Sequence, residues 1–600
     1  MKKNLLILVS ALLLSASFSA KAQKNQSDYT VPSWTLYQRA LIEAEKVLIS
    51  NSYPYNVNVV INENPITQMG ATWFTNAGIT GGVLQLVQGE VTTEGFASAR
   101  VISANSTEVN DLMYVSTGNN NNDMVAKTGF TKGERRSYVS NKVLIDGLLP
   151  NTTYSYRVGG VNDAWSPIGT FITAKDNKDA FEFIYITDTQ SNTDEMFDIS
   201  QKTVDKAFRD IPNAKFLLIN GDLIETSGNS NSEWEWEQWF EKMQSTWLQI
   251  PIVPVQGNHD TSGNNNMFHH FNTDKLFNAL QTNNDAKTAM EGTVYSFVYG
   301  DALFMVVNYE DYRKGEPYFA ALEQWMEEQV TAHSDVKWKI ATYHKTIFTG
   351  SNSHQSDSDG RTVRERMAKV YQRLGIDLAL QGHDHIYEVI GVMAANETTY
   401  SLIDGSITNQ TVTEAIGREN MTGKEGGTFD VSNGTLYFLN NSAGRKKYEP
   451  RTRQQMENAY RAHGIENYFD MFSKFGQTGE PTFSKVSIST DEINISTYTV
   501  NDEGEASLFD YFKVVKPAPS AVAGTTESPI TIYPNPANRS ITISVPEVIE
   551  DVQVFTLSGS KVLSQKSDVI DLSSFIENIY LINVKTTDGK VYTERLVVKK

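Results

Sequence analysis

The 600-residue chain contains no cysteine. Disulfides therefore hold none of it together, and any metal it binds must sit on nitrogen and oxygen donors. Basic residues are the minority, 52 Lys and Arg against 71 Asp and Glu, for a net charge of -19 that becomes -22 once Lys2, Lys3 and Lys21 are removed. Nonspecific nucleic-acid binding rests on lysine and arginine, so no nucleic-acid partner is expected. An anionic substrate is not excluded: charges more than about 8 Å from a site are largely screened, and local metal charge can dominate. Long apolar runs are also missing, and no segment reaches the ~20 residues a membrane-spanning helix needs.

Hydrophobic residues make up 40% and charged residues 20%, the balance of a globular protein, and the length calls for several domains. Residues 1–22 read as a secretory signal: Lys2 and Lys3, an apolar run from Leu5 to Leu14, then Ala20-Lys21-Ala22 before Gln23. Residues 23–54 form an N-terminal segment with a short helix expected over Leu36–Leu48. From 55 to 175, short β-type runs such as Val57–Ile61, Met69–Phe74, Lys142–Ile145 and Tyr154–Val158 indicate a β-sandwich. Leu149–Tyr154 is similar to the start of a late strand in fibronectin type III domains, whose tyrosine hydroxyl bonds back to the preceding corner. No titratable groups cluster here, which favours a positioning module.

From 180 to 515 strands and helices alternate, an α/β domain of layered sheets flanked by helices. Strands are expected at Phe181–Thr187, Lys215–Asn220, Pro251–Val255, Tyr295–Val307, Lys337–Thr342 and Ile376–Leu380. A helix over Glu195–Phe208 should turn Met196, Ile199, Val204 and Phe208 inward, and further helices are expected at Phe319–Val330 and Thr362–Arg373. The tryptophan-rich helix around Trp236, Phe240, Met243 and Trp247 has core spacing, which outweighs a sugar-binding platform. Residues 404–475 read as an insertion that shapes the pocket. Residues 516–529 form a linker, and 530–600 a small separate β-sandwich.

Five segments each begin where an apolar strand ends: Thr187-Asp188-Thr189-Gln190, Gly221-Asp222, Gly257-Asn258-His259-Asp260, Tyr343-His344 and Gly382-His383-Asp384-His385. In α/β sheets ligands bind beyond the carboxyl ends of strands, so these residues should converge. Two aspartates, an amide, three histidines and Gln190 form a donor set suited to Fe, Mn, Zn or Mg, and too large for one ion that must also bind solvent. It suits two metals sharing a carboxylate, as in hydrolytic phosphatases.

The order and spacing resemble the calcineurin-like metallophosphoesterases over about Phe181 to Val514. With the β domain ahead, the chain is most similar to their purple acid phosphatase branch. The resemblance implies one metal on Asp188, Asp222 and His385 with Gln190 as a further ligand, and a second on Asp222, Asn258, His344 and His383. It implies a metal-bound hydroxide as nucleophile, with His259 as proton donor to the leaving group and Asp260 orienting its ring. The family's D-x-H histidine is Gln190 here, which leaves that residue open between a ligand and a group behind the ligands. The tyrosine that colours purple members is replaced by Glu225, so the protein should not be purple. Glu225 itself is open between a ligand and a carboxylate that lies behind the ligands or in solvent.

Lys345 reads as a loop lysine in preference to a phosphate contact, and His354–Gly360 as a solvated loop before a helix. His269, His270, His333, His354 and His463 read as surface or packing residues. The segment from Ile530 resembles the C-terminal sorting domains of the type IX secretion system. Ile532–Ala537, Val554–Gly559, Ile579–Leu581 and Lys599-Lys600 carry that likeness. It implies the type IX machinery as partner and a secreted or surface-attached product. The expected activity is hydrolysis of a small phosphoester, first a monoester. A phosphodiesterase or nucleotide hydrolase on the same metal core, and a noncatalytic surface binding protein, are the alternatives.

Overall fold

A computed structural model describes residues 52–112, 133–225, 233–260, 267–273, 284–355, 357–395, 400–404, 426–461, 468–517, 530–556 and 561–600. The expected signal and the Leu36–Leu48 helix lie outside these residues, as does most of the expected linker. The chain falls into two compact units, Met1–Lys516 and Pro517–Lys600.

The first unit is built on two large sheets. Phe181–Ile186, Leu217–Asn220 and Ile252–Val255 lie parallel side by side, with Ile184 opposite Leu217 and Leu217 opposite Ile252. The second sheet sets Ala302–Val306, Trp338–Thr342, Leu378–Gln381 and Thr435–Asn440 parallel. Their near-continuous apolar sequences follow from burial on both faces. Alternation sorts the side chains: Phe183, Tyr185 and Leu218 pack against Phe304, Ile340 and Leu380 between the sheets. Ile184, Ile186 and Ile219 face the helices Asp194–Asp210 and Glu233–Trp247. Leu303, Met305 and Ala341 face Glu316–Ala332 and Ser358–Leu374. The result is helix, sheet, sheet, helix. Lys474 and Asp510 are ion-paired in the interior, and Tyr387 Oη donates to Asp510 at 2.7 Å, which joins Phe472–Gly476 of one sheet to Ala506–Val515 of the other.

The N-terminal β-sandwich is continuous with this core. Tyr55–Ile61 pairs parallel with Ile252–Val255, Val60 opposite Ile252, so an eleven-stranded sheet runs from one region into the other. A four-stranded sheet packs over it through Leu84, Leu86, Tyr156 and Phe171. Tyr154 Oη accepts from Leu149 N–H at 2.9 Å, the corner contact its sequence suggested.

Three expectations change. Tyr295–Val307 is a hairpin, Tyr295–Tyr299 and Ala302–Val306, turned by Gly300 at φ 56°. The helix Asp194–Asp210 buries Phe197, Ser200, Thr203, Val204 and Ala207, whereas Met196, Ile199 and Phe208 are only partly covered. Small polar residues are needed on that face because Ser200 Oγ donates to Thr189 O at 2.8 Å, against the Asp188 loop. Within the described part of 404–475, Thr435–Asn440 belongs to the sheet and not to an insertion: it lies between Leu378–Gln381 and Tyr387–Ala395 as an interior strand. The tryptophan-rich helix is core, with Trp239 and Trp247 stacked at 4.6 Å.

The second unit contains a three-stranded and a four-stranded antiparallel sheet around Ile541, Ile543, Val552, Val554, Ile582 and Leu596.

Replacing one member of the interior ion pair tests how the sheets are joined. Lys474→Met leaves Asp510 buried without its cation and should cost about 3–5 kcal/mol in denaturant unfolding. Adding Asp510→Leu should recover most of that loss; equal stability of Lys474→Met and wild type would refute the assignment.

Candidate metal centre

The five strand-end segments meet where the carboxyl edges of the two sheets adjoin. Asp188 follows Phe181–Ile186, Asp222 follows Leu217–Asn220, and Asn258 and His259 follow Ile252–Val255, all in one sheet. His344 follows Trp338–Thr342, and His383 and His385 follow Leu378–Gln381, in the other. Asn220 ties the edges together: its Nδ2 donates to Leu380 O at 2.9 Å, its Oδ1 accepts from Thr342 Oγ1 at 3.0 Å, and its carbonyl faces His344 Nδ1 at 2.8 Å.

The turns that carry these residues are tight. Asp188, Gln190, Asp222 and His383 have φ of 52°, 22°, 49° and 73°, in or near the left-handed region that costs a side-chain-bearing residue conformational energy. Gly221 lies so close to His344 that a Cβ on it would fall 2.4 Å from Nδ1. A Cβ on Gly257 would fall 2.3 Å from Asp222 Oδ1. The glycines of G-D and G-N-H-D thus permit backbone to approach side chain.

His344 Nε2 lies 3.1 Å from Asp222 Oδ2 and 3.2 Å from His383 Nδ1. Asp222, His344 and His383 present donor atoms within 4.8 Å of one another. Alongside, His385 Nε2 lies 3.2 Å from Asp188 Oδ1, and His344 Nε2 is 4.0 Å from that same oxygen. Gln190 Nε2 donates to Asp222 Oδ2 at 3.4 Å, which leaves the Gln190 carbonyl oxygen buried. That oxygen, Asp188 Oδ1 and the ring nitrogens of His385 have no hydrogen-bond partner among the described residues. Buried polar atoms ordinarily find partners, so a convergent set without them fits cations.

Charge agrees. Burial disfavours a cationic His344, yet Asp222 and Asp188 outweigh it and push the imidazole up to about 10. Asp222 is likewise held well below the usual carboxylate range by His344 and His259 despite its burial. The pocket therefore favours positive charge strongly. His383 is pushed down by burial and by neighbouring His354, Lys345 and His344, which keeps it a neutral lone-pair donor.

His259 is partly exposed at the rim; its backbone N–H donates to Asp222 Oδ1 at 2.8 Å, and its Nε2 lies 3.9 Å from Asp222 Oδ2. Its Nδ1 hydrogen-bonds the carbonyl of Glu225, so that carbonyl takes the orienting role expected of Asp260. Asp260 instead accepts from Leu223 N–H and Gly257 N–H, each at 2.9 Å, clamping the Asp222 and Asn258 turns together. Glu225 is ion-paired to Lys446 through its carboxylate.

Four residues hold places at the site that the sequence did not mark. His354 is half-buried: its ring packs on His383 at 3.8 Å with a tilt of 31°, and its Nδ1 meets Asp357 Oδ2 at 2.7 Å. His354, Asp357 and His383 present donor atoms within 4.8 Å of one another, a second potential cation-binding group beside the first. The edge-to-face rings of His344 and His383, at 73°, converge. Lys345 is buried between Asp359, at 2.7 Å, and Glu310, at 3.4 Å. Tyr448 stacks on His385 at 4.4 Å, and Ser442 Oγ donates to Asp188 O at 2.8 Å. The apolar run Thr435–Asn440 ending in Asn441-Ser442-Ala443-Gly444 repeated the strand-end signal without a titratable residue to mark it. His270 is a packing residue as expected, stacked on Trp236 and tilted against Phe74.

Residues 181–387 match the family model for calcineurin-like phosphoesterases. Residues 54–173 match the N-terminal domain of purple acid phosphatases, and 531–599 a secretion system C-terminal sorting domain. Purple acid phosphatase 23 of Arabidopsis thaliana is 22% identical over 273 residues, covering 42% of this chain and 58% of its own length. A nucleotide pyrophosphatase/phosphodiesterase of Hordeum vulgare is 25% identical over 205 residues, 32% of this chain and 52% of its own length. The chain thus spans about half the length of these curated relatives. The solved purple acid phosphatase from yellow lupin seeds shares the fold with a TM-score of 0.52 at 14% identity, over 78% of this chain and 75% of that one.

Gly221→Ala should drive His344 away from Asp222. The expected result is loss of bound metal by elemental analysis with a native far-UV circular dichroism spectrum; full metal content would contradict the close approach.

Proposed function

We propose that this chain, which joins a calcineurin-like phosphoesterase domain to a purple acid phosphatase N-terminal domain and a secretion system sorting domain, is an exported dinuclear-metal phosphoesterase acting first on phosphomonoesters. The observation that carries this reading is the convergence of Asp188, Asp222, His344, His383 and His385 from two sheets in a pocket that favours positive charge. One cation would be held by Asp188, Asp222 and His385 with the Gln190 amide oxygen as a further donor. The other would be held by Asp222, Asn258, His344 and His383. Bound there, two ions supply a water nucleophile at neutral pH and offset the charge on the phosphoryl oxygens. The donor set suits Fe, Mn, Zn or Mg.

The chain's own groups perform the remaining tasks. Asp222 is shared, and Asp260 holds the Asp222 and Asn258 turns in register. With Nδ1 committed to the Glu225 carbonyl, His259 keeps Nε2 for the leaving-group oxygen and can donate a proton to it. The type IX sorting reading of 530–600, with a leader at 1–22, directs the product to the cell surface or beyond. A phosphodiesterase is the second reading, favoured by the name of the barley relative; the same metal core serves both, because the site is built around phosphorus and not a particular alcohol.

Release of an aryl alcohol from a monoester and a diester, with elemental analysis of the same preparation, separates these readings. If protein loaded with each metal in turn hydrolysed neither, the noncatalytic surface-binding reading would replace both. Asp222→Asn and His344→Ala should each abolish turnover. His259→Ala should lower kcat by roughly 10²–10⁴ while metal content is kept. With Glu225 in the tyrosine position, the metal-loaded protein should lack an intense visible charge-transfer band, which an absorption spectrum checks directly.

A further inference from the structure

Asp384 lies between His383 and His385, yet its carboxylate is turned toward protein hydroxyls. It is fully buried, with Oδ1 accepting from Ser351 Oγ at 2.5 Å and Oδ2 from Thr346 Oγ1 at 3.4 Å. Ser351 Oγ in turn accepts the backbone N–H of Ser353 at 3.2 Å and of His354 at 3.3 Å. Ser351 thus connects the G-H-D-H turn to the backbone that carries His354. Among the described residues between Trp338–Thr342 and the helix Ser358–Leu374, that segment is held by these side-chain contacts together with a short backbone pairing of Ser351 with Pro450. Glu388, four residues further along the chain in the strand Tyr387–Ala395, pins the same segment by accepting Gly350 N–H at 2.6 Å. The ring so placed is the one packed at a 31° tilt on His383 and braced by Asp357.

We propose that Asp384 is a positioning residue that acts through Ser351 to hold the His354 ring against His383, and thereby fixes the plane of an imidazole in the metal centre. The proposal rests on the metal-centre reading above. Hydroxyl donors occupy both carboxylate oxygens, so Asp384 is set apart from the ligands on either side of it. A one-ångström drift in a ring at such a centre is enough to cost a large factor in rate.

The test is a double-mutant cycle on the metal-loaded full chain with an aryl phosphomonoester. Ser351→Ala should lower kcat on the order of 10- to 100-fold with KM and metal content near wild type. His354→Ala should do the same, and the double variant should be no slower than His354→Ala alone, because both act on one ring. Asp384→Asn, which keeps an acceptor oxygen, should retain more activity than Asp384→Ala. Multiplying effects in the double variant, or wild-type kcat in Ser351→Ala, would overturn the link. If the wild-type chain turned over no phosphoester, the functional reading would fail by itself. Histidine-selective NMR of the zinc-loaded chain then reads the link: Ser351→Ala should shift the His354 and His383 ring resonances, and unmoved resonances reject it.

Discussion

The side chain of Asn220 spans two sheets, and the metal centre depends on that span. Four of the acidic and amide groups come from one sheet and three imidazoles from the other, so neither sheet alone holds a complete set. Asn220 offers its amide N–H to Leu380, its amide oxygen to Thr342 and its carbonyl to His344. Thr187 Oγ1 donates to the same carbonyl at 3.1 Å, which brings the Asp188 turn into the arrangement. A buried amide that satisfies both sheets fixes their relative position through directional bonds, where apolar packing alone would allow sliding.

Close approach has a conformational cost. Residues held in sparsely populated backbone regions cost on the order of 1–3 kcal/mol each, and four positions at the centre are of this kind. The surrounding structure holds them there. Thr189 Oγ1 donates to Leu223 O and accepts from Trp239 Nε1, while Ser442 and Gly444 hold Asp188 O. The tryptophan-rich helix therefore does more than fill the core, since one of its indoles braces the turn that carries Asp188. The N-terminal β region contributes in the same way. Its pairing through Val60 and Ile252 extends the sheet from which Asn258 and His259 emerge.

Charge was selected locally against the trend of the whole chain. An acidic protein of net charge -19 might be expected to repel an anionic substrate at every face. Within the centre, however, Asp222 and Asp188 favour positive charge strongly enough to push the His344 imidazole up despite its burial, and the long-range field is screened beyond about 8 Å.

The sequence by itself determined the order of the layers and most of the strand-end residues. Near-continuous apolar runs such as Phe181–Ile186 and Leu217–Asn220 specify strands buried on both faces, and glycine beside Asp222, Asn258 and His383 marks where backbone must come close. Local patterns carry that information because they record local requirements. Tertiary structure alone decided that His354 lies on His383, that Glu225 offers its carbonyl to His259, and that Thr435–Asn440 is an interior strand. It also decided which face of Asp194–Asp210 is buried, since Ser200 is selected by the Asp188 turn and not by hydrophobicity. These features depend on contacts between residues far apart in the chain, made by a backbone carbonyl, a ring face or a small hydroxyl, and such groups leave no periodic or compositional mark.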